Sequence, residues 1–208
     1  AQVAIFRADN NDTWARDHGP ISVYRNGQLT LVDFLFNGWG GKYSHDKDNQ
    51  ISATLQQLGA YGDTQLHAGS WILEGGSLET DGRGTLLTTE NCLLNPNRNP
   101  SLTKGMIEAR LAEDLGIDRV LWLKHGHLEG DDTDAHIDTL ARFCSPTSIA
   151  YCQARQSDDH YPSLHAMEQE LHTLRQRNGQ PYQLIPLPLP SPILSSDGER
   201  LPATHAHF

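Results

Sequence analysis

The chain has 208 residues, only three cysteines, and 16 Lys and Arg against 26 Asp and Glu, which gives a formal net charge of −10. That length suffices to bury a hydrophobic core without disulfides, and the acidic balance disfavours nucleic acid as a partner while suiting a small cationic one. The longest apolar runs, such as residues 120–123, fall far short of the roughly 18 to 20 residues that span a bilayer, so no membrane association is expected.

The predicted elements begin with a strand-like segment, Val3–Phe6, and continue as three similar sets of a hairpin, a helix and a strand. The hairpins are predicted at residues 21–32, 77–88 and 139–151 from their turn residues. Helices are predicted at about 46–58, from 101 or 103 to 115, and from Pro162 to Gly179. Their apolar stripes indicate core faces, formed by Ile51, Leu55 and Leu58, by Ile107, Leu111 and Leu115, and by Leu164, Met167, Leu171 and Leu174. The strands that follow are predicted at about 64–67, 119–123 and 182–187.

A polar loop precedes each hairpin, and the loops contain Asp17, Glu74 and His136, which are 57 and 62 residues apart. Repeated units of this length bury their apolar faces by stacking on their neighbours. We therefore predict an α/β fold in which the three loops meet at one centre. The units are expected at about 1–59, 60–116 and 117–179, with a partial unit at 180–208. The sequence is expected to be a fragment of one domain, with exposed strand edges that favour self-association.

The first loop suits a planar cation, and the second can approach a ligand closely. Trp14 and Asp17 place an aromatic face beside a negative charge, a combination that binds guanidinium groups. The alternative is an ion pair of Arg16 with an acid next to a buried Trp. Glu74 precedes Gly75-Gly76, where the backbone can turn sharply and approach a ligand closely, or form a simple turn.

The third loop, residues 130–138, combines a proton-transfer group with carboxylates. In an extended segment His136 and Asp138 point to the same side and can serve one site. A zinc site made of the His and Asp side chains of this stretch is an alternative. A calcium loop counted from Asp132 fails, because Ile137 and Phe143 stand where Gly and Glu are needed. His125-Gly126-His127 is interpreted as a solvated turn.

Three long motifs together carry a resemblance to a known family. They are residues 11–17 (NDTWARD), residues 74–76 (EGG) leading to 86–100 (LLTTENCLLNPNRNP), and residues 134–143 (DAHIDTLARF). In this order they resemble the agmatine deiminase family, which also includes the bacterial peptidylarginine deiminases of the Porphyromonas type. The resemblance implies the pentein fold, a closed ring of five ββαβ units with the active site on the central axis. Ala135 stands where the family commonly has Gly.

The resemblance also implies a chemistry without metal or organic cofactor. A Cys thiolate attacks the guanidinium carbon, ammonia leaves, and water hydrolyses the amidino-thioether, so that agmatine gives N-carbamoylputrescine. Asp17 and Asp138 would hold the guanidinium nitrogens, and His136 would protonate the ammonia and then activate the water. Glu74 would bind the guanidinium or orient His136, and Trp14 would line the substrate passage.

The family's nucleophilic Cys lies near the C-terminus in a Gly-rich segment that these residues do not contain. We expect that none of Cys92, Cys144 and Cys152 is the nucleophile and that this chain alone is inactive. Three cysteines fit reduced thiols and a cytoplasmic location. A peptidylarginine or other arginine-derivative deiminase, a non-catalytic guanidinium-binding module and a metal-dependent hydrolase remain as alternatives, and a homo-oligomer remains open.

Overall fold

The computed structural model describes residues 3–206, which divide into two compact units. The first unit covers the chain up to Gly75 together with Pro96–Asn99, and the second covers Gly76–Asn95 and the chain from Pro100 onward. The division within 75–100 means that the Asn97-Arg98-Asn99 segment belongs with the first unit, although it follows elements of the second.

The first unit contains one three-stranded sheet and three helices. Its elements are α1 (Ala15–His18), β1 (Ile21–Arg25), β2 (Gln28–Leu35), α2 (Gly38–Gly41), α3 (Asp48–Gln57) and β3 (Gln65–Ile72). β1 and β2 are antiparallel, and β3 lies parallel to β2 on its other side. Asn26 and Gly27 have φ values of 52° and 77°, as the tight turn predicted at this dipeptide requires.

The second unit contains two three-stranded sheets with the same pairing. Its elements are β4 (Glu79–Thr80), β5 (Thr85–Thr89), α4 (Glu90–Leu93), α5 (Lys104–Leu115), β6 (Arg119–Leu123), β7 (Ala141–Ser145), β8 (Ser148–Gln153), α6 (Tyr161–Thr173) and β9 (Gln183–Pro188). In each sheet an antiparallel hairpin is followed, after a helix, by a strand parallel to the hairpin's second strand. β6 has the bounds that its apolar run predicts.

The helices of the second unit bury most of the predicted stripes, although Leu115 is only half-buried and Leu174, also half-buried, lies beyond the end of α6. In α5 Ile107 and Leu111 are fully buried, and the helix begins at the Thr103 cap, whose side chain accepts from the Met106 amide. It ends at Gly116, which adopts the left-handed conformation typical of a C-terminal stop. In α6 the buried residues are Leu164, Met167 and Leu171.

The stripe predicted for α3 is wrong. Asp48 and Ser52 are the buried residues of this helix, whereas Ile51 and Leu55 are half-buried and Leu58 is exposed. The reason lies at the start of the helix, where the Asp48 carboxylate accepts hydrogen bonds from the backbone of residues 11 and 12 and so turns its polar side inward.

Two further predictions, for the N-terminal strand and for the end of α6, differ from the structure. Val3–Phe6 is irregular, with Val3 and Ile5 strongly exposed, rather than a strand. α6 ends at Thr173, well before Gly179, because Asn178 and Gly179 form the turn of a small bridge between Arg175 and Pro181.

The second and third hairpins begin later than predicted. Short 3-10 turns at Gly75–Ser77 and Ile137–Thr139 come first, so β4 starts at Glu79 and β7 at Ala141. None of the helices in residues 3–206 has the length and hydropathy required to cross a membrane.

Truncating Leu111 to Ala is expected to lower the free energy of unfolding by about 2–5 kcal/mol, because it removes a fully buried side chain and leaves a cavity. Urea unfolding of the full-length protein measures the loss. The control is Met106→Ala on the same helix, where Met106 is exposed and a change within about 0.5 kcal/mol is expected. Equal losses in the two variants would contradict the assignment of the core face.

Candidate active site

The loop that leads into α1 is tied to the start of α3 by carboxylates. Asp48 Oδ1 accepts from the backbone amides of Asn11 at 2.7 Å and of Asp12 at 3.2 Å. Asp12 Oδ1 accepts in turn from the amides of Thr13 at 2.6 Å and of Trp14 at 3.2 Å. The backbone of Trp14 is therefore held, while its side chain is 53% exposed. The alternative of a buried Trp at this position is wrong.

Asp17 lies in α1 and is buried. Its Oδ2 accepts a hydrogen bond from the indole Nε1 of Trp39 at 3.0 Å. Trp39 is itself buried, and its ring packs edge-on against Phe36 with the centroids 4.9 Å apart. An indole nitrogen can only donate, so Asp17 is the acceptor in this contact. The position of Asp17 thus depends on Trp39.

Trp39 is a site residue that sequence reasoning missed. It has φ 54° and ψ 48°, a left-handed conformation that is rare for a side chain of its size, and it lies between Gly38 and Gly40, which also have positive φ. A Cβ on Gly40 would lie 2.2 Å from Nδ2 of Asn97, so only glycine fits there. The signal that points to this turn is the run of glycines around an aromatic residue at 38–41.

Glu74 is fully buried and forms an ion pair with Arg98, which is also buried. The guanidinium donates from Nε to Oε1 at 3.1 Å and from Nη2 to Oε2 at 3.2 Å. Asn97 Oδ1 accepts from Nη1 of the same Arg98 at 2.8 Å. Both carboxylate oxygens of Glu74 therefore accept from a guanidinium that belongs to the protein. Arg98 lies in a motif that carries the family resemblance, but sequence reasoning gave it no role.

The paired glycines were predicted to allow a close approach to a ligand. At Gly75 the structure shows a close approach to the backbone of Arg16 instead. A Cβ on Gly75 would lie 2.0 Å from the carbonyl oxygen of Arg16. The segment that carries Glu74 is therefore packed directly on α1, which carries Asp17. Within the first unit, this contact brings together the backbone segments that carry Asp17 and Glu74, because each residue is the chain neighbour of one contact partner.

In the second unit, Asp131 shapes the loop that leads to His136. Its Oδ1 accepts from the amide and the hydroxyl of Thr133, and its Oδ2 accepts from the Ala135 amide at 2.8 Å. The Thr133 hydroxyl then accepts from the His136 amide at 3.1 Å. The carboxylate predicted as a candidate zinc ligand thus orders the backbone in front of His136.

The backbone next to His136 is strained in a way that Asp131 compensates. Asp134 and Ala135 are consecutive non-glycine residues with φ of 65° and 67°. Such residues cost of order 1 kcal/mol or more each and persist only where the surroundings hold them. Glycine adopts this conformation without strain, so Ala135 costs stability here relative to the Gly that the resemblance implies at its position.

His136 and Asp138 do not lie in an extended segment as predicted. His136 precedes a 3-10 turn, Ile137–Thr139, that contains Asp138, and the Thr139 hydroxyl donates to the His136 carbonyl at 2.9 Å. The loop closes into a turn because Asp131 and Thr133 fix its approach. Both predicted site residues are nevertheless buried, at 2% and 3% exposure.

Thr89 connects this loop to Cys92. Its hydroxyl donates to the Ala135 carbonyl at 2.7 Å and accepts from the Cys92 amide at 3.2 Å, which caps α4. Cys92 is fully buried, in agreement with the prediction of a structural thiol. One hydroxyl thus fixes both the start of α4 and the residue before His136.

The other two cysteines differ in exposure. Cys144 is exposed, and Cys152 is buried, where desolvation raises the pKa of its thiol. A raised pKa disfavours the thiolate that a nucleophilic cysteine needs. His125 lies in an exposed turn, as predicted, and its Nδ1 is 2.9 Å from Glu170 Oε1.

Solved structures identify the class of fold. The mixed α/β arrangement of small sheets matches the crystal structure of a protein from Porphyromonas gingivalis that is described as a putative arginine deiminase. The two share 50% identity with a TM-score of 0.94 over 98% of this chain and 60% of that one. It also matches a Cys-to-Ser variant of the agmatine deiminase of C. jejuni with substrate bound, with 42% identity and a TM-score of 0.88 over 97% of this chain and 58% of that one. The fold is that of the pentein-type deiminases.

The family follows from the sequence as a whole. The model of the Porphyromonas-type peptidyl-arginine deiminase family matches residues 1–208, and the chain belongs to this family. The agmatine deiminase of Stutzerimonas stutzeri is 37% identical over 205 residues, covering 95% of this chain and 55% of that protein. The agmatine deiminase of Ectopseudomonas mendocina is 36% identical over 204 residues, with the same coverage. The chain spans about 55% of the length of these relatives.

Replacing Arg98 with Met is expected to lower the free energy of unfolding by about 3–5 kcal/mol, because it leaves the Glu74 carboxylate buried without the guanidinium that pairs with it. Urea unfolding of the full-length protein gives the value. The double variant Arg98→Met with Glu74→Gln removes the buried charge as well, so it should recover much of the loss. A double variant no more stable than the single one would show that the ion pair is not the cause.

Proposed function

We propose that the protein to which this chain belongs is a guanidine-hydrolysing deiminase with agmatine as its substrate, and that this chain supplies its guanidinium-binding carboxylates and its general acid and base. The observation that carries the proposal is the selective burial of the residues that the family motifs assign to the site. Asp17, Glu74, His136 and Asp138 are all at most 7% exposed.

The burial of these carboxylates distinguishes them from the other acidic residues. Among residues 3–206, which contain all 26 Asp and Glu side chains, five are buried. Asp48 and Glu79 serve the fold, since Asp48 accepts from loop amides and Glu79 from Arg142 Nε and the Phe143 amide. The remaining three are the predicted site residues. Buried, fixed carboxylates are the acceptors that a planar guanidinium binds most strongly.

The roles of the three carboxylates differ in this proposal. Arg98 donates to both carboxylate oxygens of Glu74. Glu74 is therefore proposed to serve as a structural anchor of the site and not as the main acceptor for the substrate guanidinium. Asp17 and Asp138 are proposed to accept from the substrate nitrogens and to hold its carbon in line for attack. Trp14, whose side chain reaches the surface, is proposed to line the entrance.

The proposed reaction proceeds in two steps that balance in atoms and charge. A cysteine thiolate forms an S–C bond to the guanidinium carbon, and the C–N bond to one terminal nitrogen breaks as His136 protonates it, releasing ammonia. His136, now neutral, takes a proton from water while the oxygen bonds to the same carbon, and the C–S bond breaks to restore the thiolate. As the ureido carbonyl forms, the remaining proton of the attacking water leaves its oxygen and is taken up by the ammonia or by solvent. The agmatine cation and water thus give N-carbamoylputrescine and ammonium, with no metal or organic cofactor.

The nucleophile is proposed to lie outside these 208 residues. Cys92 is fully buried and its amide donates to the Thr89 side chain that caps α4, while Cys152 is buried with a raised pKa. Neither environment favours an attacking thiolate. The chain alone is therefore proposed to be inactive. The solved C. jejuni agmatine deiminase holds its substrate as a Cys-to-Ser variant, which supports a cysteine-dependent reaction in this family.

The repeated topology supports the ring that the resemblance implies. All three sheets contain a hairpin whose second strand pairs in parallel with the strand after the next helix. We propose that they represent three ββαβ units of a single five-unit domain. Because the strand after each helix pairs with the hairpin before that helix, the units extend to Ile72, Leu123 and Pro188, beyond the predicted limits of about 59, 116 and 179. The residues that follow Pro188 are proposed to begin a fourth. The proposal includes a cytoplasmic location and leaves the oligomeric state to measurement.

A second candidate substrate is peptidylarginine, which the description of the matching family favours. The same carboxylates would bind the guanidinium of either compound, so the choice depends on the far end of the ligand. Ammonia release from agmatine and from an arginine peptide, measured side by side with the full-length protein, decides between them. Guanidinium binding without release from either would favour the non-catalytic module instead.

Replacing His136 with Ala in the full-length protein is expected to lower kcat for agmatine at least about 100-fold, because the general acid and base is lost. Ammonia release measures the effect. The matched control is His125→Ala, a histidine in an exposed turn of the same unit, which should retain wild-type turnover. Normal turnover by His136→Ala would remove this residue from the mechanism.

Treatment with EDTA is expected to leave ammonia release unchanged, whereas a thiol-alkylating reagent should abolish it, because the proposed nucleophile is a cysteine. Both treatments are applied to the full-length protein with agmatine. Loss of activity with the chelator, restored by zinc, would instead support the metal-dependent hydrolase.

A further inference from the structure

A buried histidine that the proposed mechanism does not use contacts the start of the loop that carries His136. His160 lies directly before α6 and is 6% exposed. Its Nε2 is 2.7 Å from the backbone nitrogen of Glu129. Since an amide nitrogen only donates, Nε2 must be the acceptor and carry no proton.

The partner of the other ring nitrogen fixes the same tautomer. His160 Nδ1 lies 2.9 Å from Oδ1 of Asp158, which also accepts from the His160 amide. Arg200 donates to both oxygens of Asp158, at 3.2 and 3.0 Å, and lowers the pKa of this carboxyl below its usual range. An ionised Asp158 is an acceptor, so the proton of neutral His160 lies on Nδ1 and the lone pair on Nε2 faces Glu129.

Arg200 completes a closed circuit of contacts around the start of the loop. Gly130 has φ 79°, and a Cβ there would lie 2.1 Å from the carbonyl oxygen of Arg200. Hydrogen bonds thus run from the Glu129 amide to His160, from His160 to Asp158 and from Asp158 to Arg200, and the Arg200 backbone lies too close to Gly130 to leave room for a Cβ. Residues 129–130 are therefore contacted on both of these sides.

Hydrogen bonds continue from this point to His136. The Asp131 amide donates to the Leu128 carbonyl at 3.2 Å, and the Asp131 carboxylate holds Thr133 and Ala135. Thr133 then accepts from the His136 amide. The hydrogen bond at Glu129 therefore holds the start of the loop, and the hydrogen bonds of Asp131 and Thr133 hold the rest of the loop, up to His136, relative to that start.

We infer that His160, oriented by Asp158 and Arg200, is a positioning residue that holds the Glu129 amide and thereby places His136 for catalysis. The inference rests on the proposed function for its effect on turnover. Its structural part, the anchoring of the loop, stands separately. His160 touches neither substrate nor reacting atoms in this role, since it acts through the backbone of residues 129–136.

Two conservative variants separate the acceptor from the donor function of His160. In His160→Gln the amide oxygen extends about as far as Nε2 and can accept from Glu129, whereas in His160→Asn the shorter side chain reaches Asp158 but not Glu129. In the full-length protein, His160→Asn is expected to lower kcat for agmatine about 10- to 100-fold with little change in KM, and His160→Gln to retain most of the activity. The control is His172→Asn, an exposed histidine in the last turn of α6.

Amide hydrogen exchange provides a readout that does not need activity. Exchange at Glu129 and along residues 131–136 should accelerate at least tenfold in His160→Asn and remain slow in His160→Gln and in the control. Slow exchange in all variants, or equal kcat for Gln and Asn, overturns the inference. If the wild-type protein does not hydrolyse agmatine, the proposed function fails, and the exchange pattern alone then decides whether His160 anchors the loop.

Discussion

Burying a carboxylate is costly unless donors surround it, and this constraint organises the first unit of the structure. Glu74 is compensated by a guanidinium aligned along both of its oxygens, and Asp17 accepts from an indole nitrogen. Each compensating donor then needs its own support. Arg98 is held by Asn97, and Trp39 by a turn rich in glycine. The residues required to stabilise the buried charges therefore outnumber the charges themselves.

Backbone geometry provides the second layer of support. The unusual conformations occur beside the predicted site residues, at Trp39 and at Asp134 and Ala135. Each is accompanied by side-chain acceptors that hold the turn, Asn37 for the Gly40 amide and Asp131 for the Ala135 amide. Strained turns of this kind fix the backbone at Trp39 and in front of His136, which helps to hold these residues in place for binding a rigid planar group.

The sequence predicts the elements well where a single physical rule determines them. The Asn26-Gly27 turn, the start and end of α5 and the limits of β6 all follow from turn chemistry, capping and apolar periodicity. The buried face of α3 could not be predicted in this way. Hydrogen bonds from residues 11 and 12 to Asp48 outweigh its apolar stripe, and those partners are more than 30 residues away in the chain.

In the candidate site, too, the sequence predicts the residues that lie in local motifs but not their partners elsewhere in the chain. The motifs identify Asp17, Glu74, His136 and Asp138, and all four are buried. Their partners Trp39 and Arg98 escaped assignment, because the partners are 22 and 24 residues from the carboxylates they contact. A short-range pattern has no access to such pairings.

The hydroxyl of Thr89 has a consequence for motion. It donates to the loop at Ala135 and accepts from α4 at Cys92, so a single oxygen atom links α4 to a loop residue that lies 46 positions after Thr89 in the chain. A fluctuation of the loop that lengthens one bond must either carry the helix start with it or break the other. The two segments should therefore open together, as one cooperative element of local unfolding, and not as independent flexible parts.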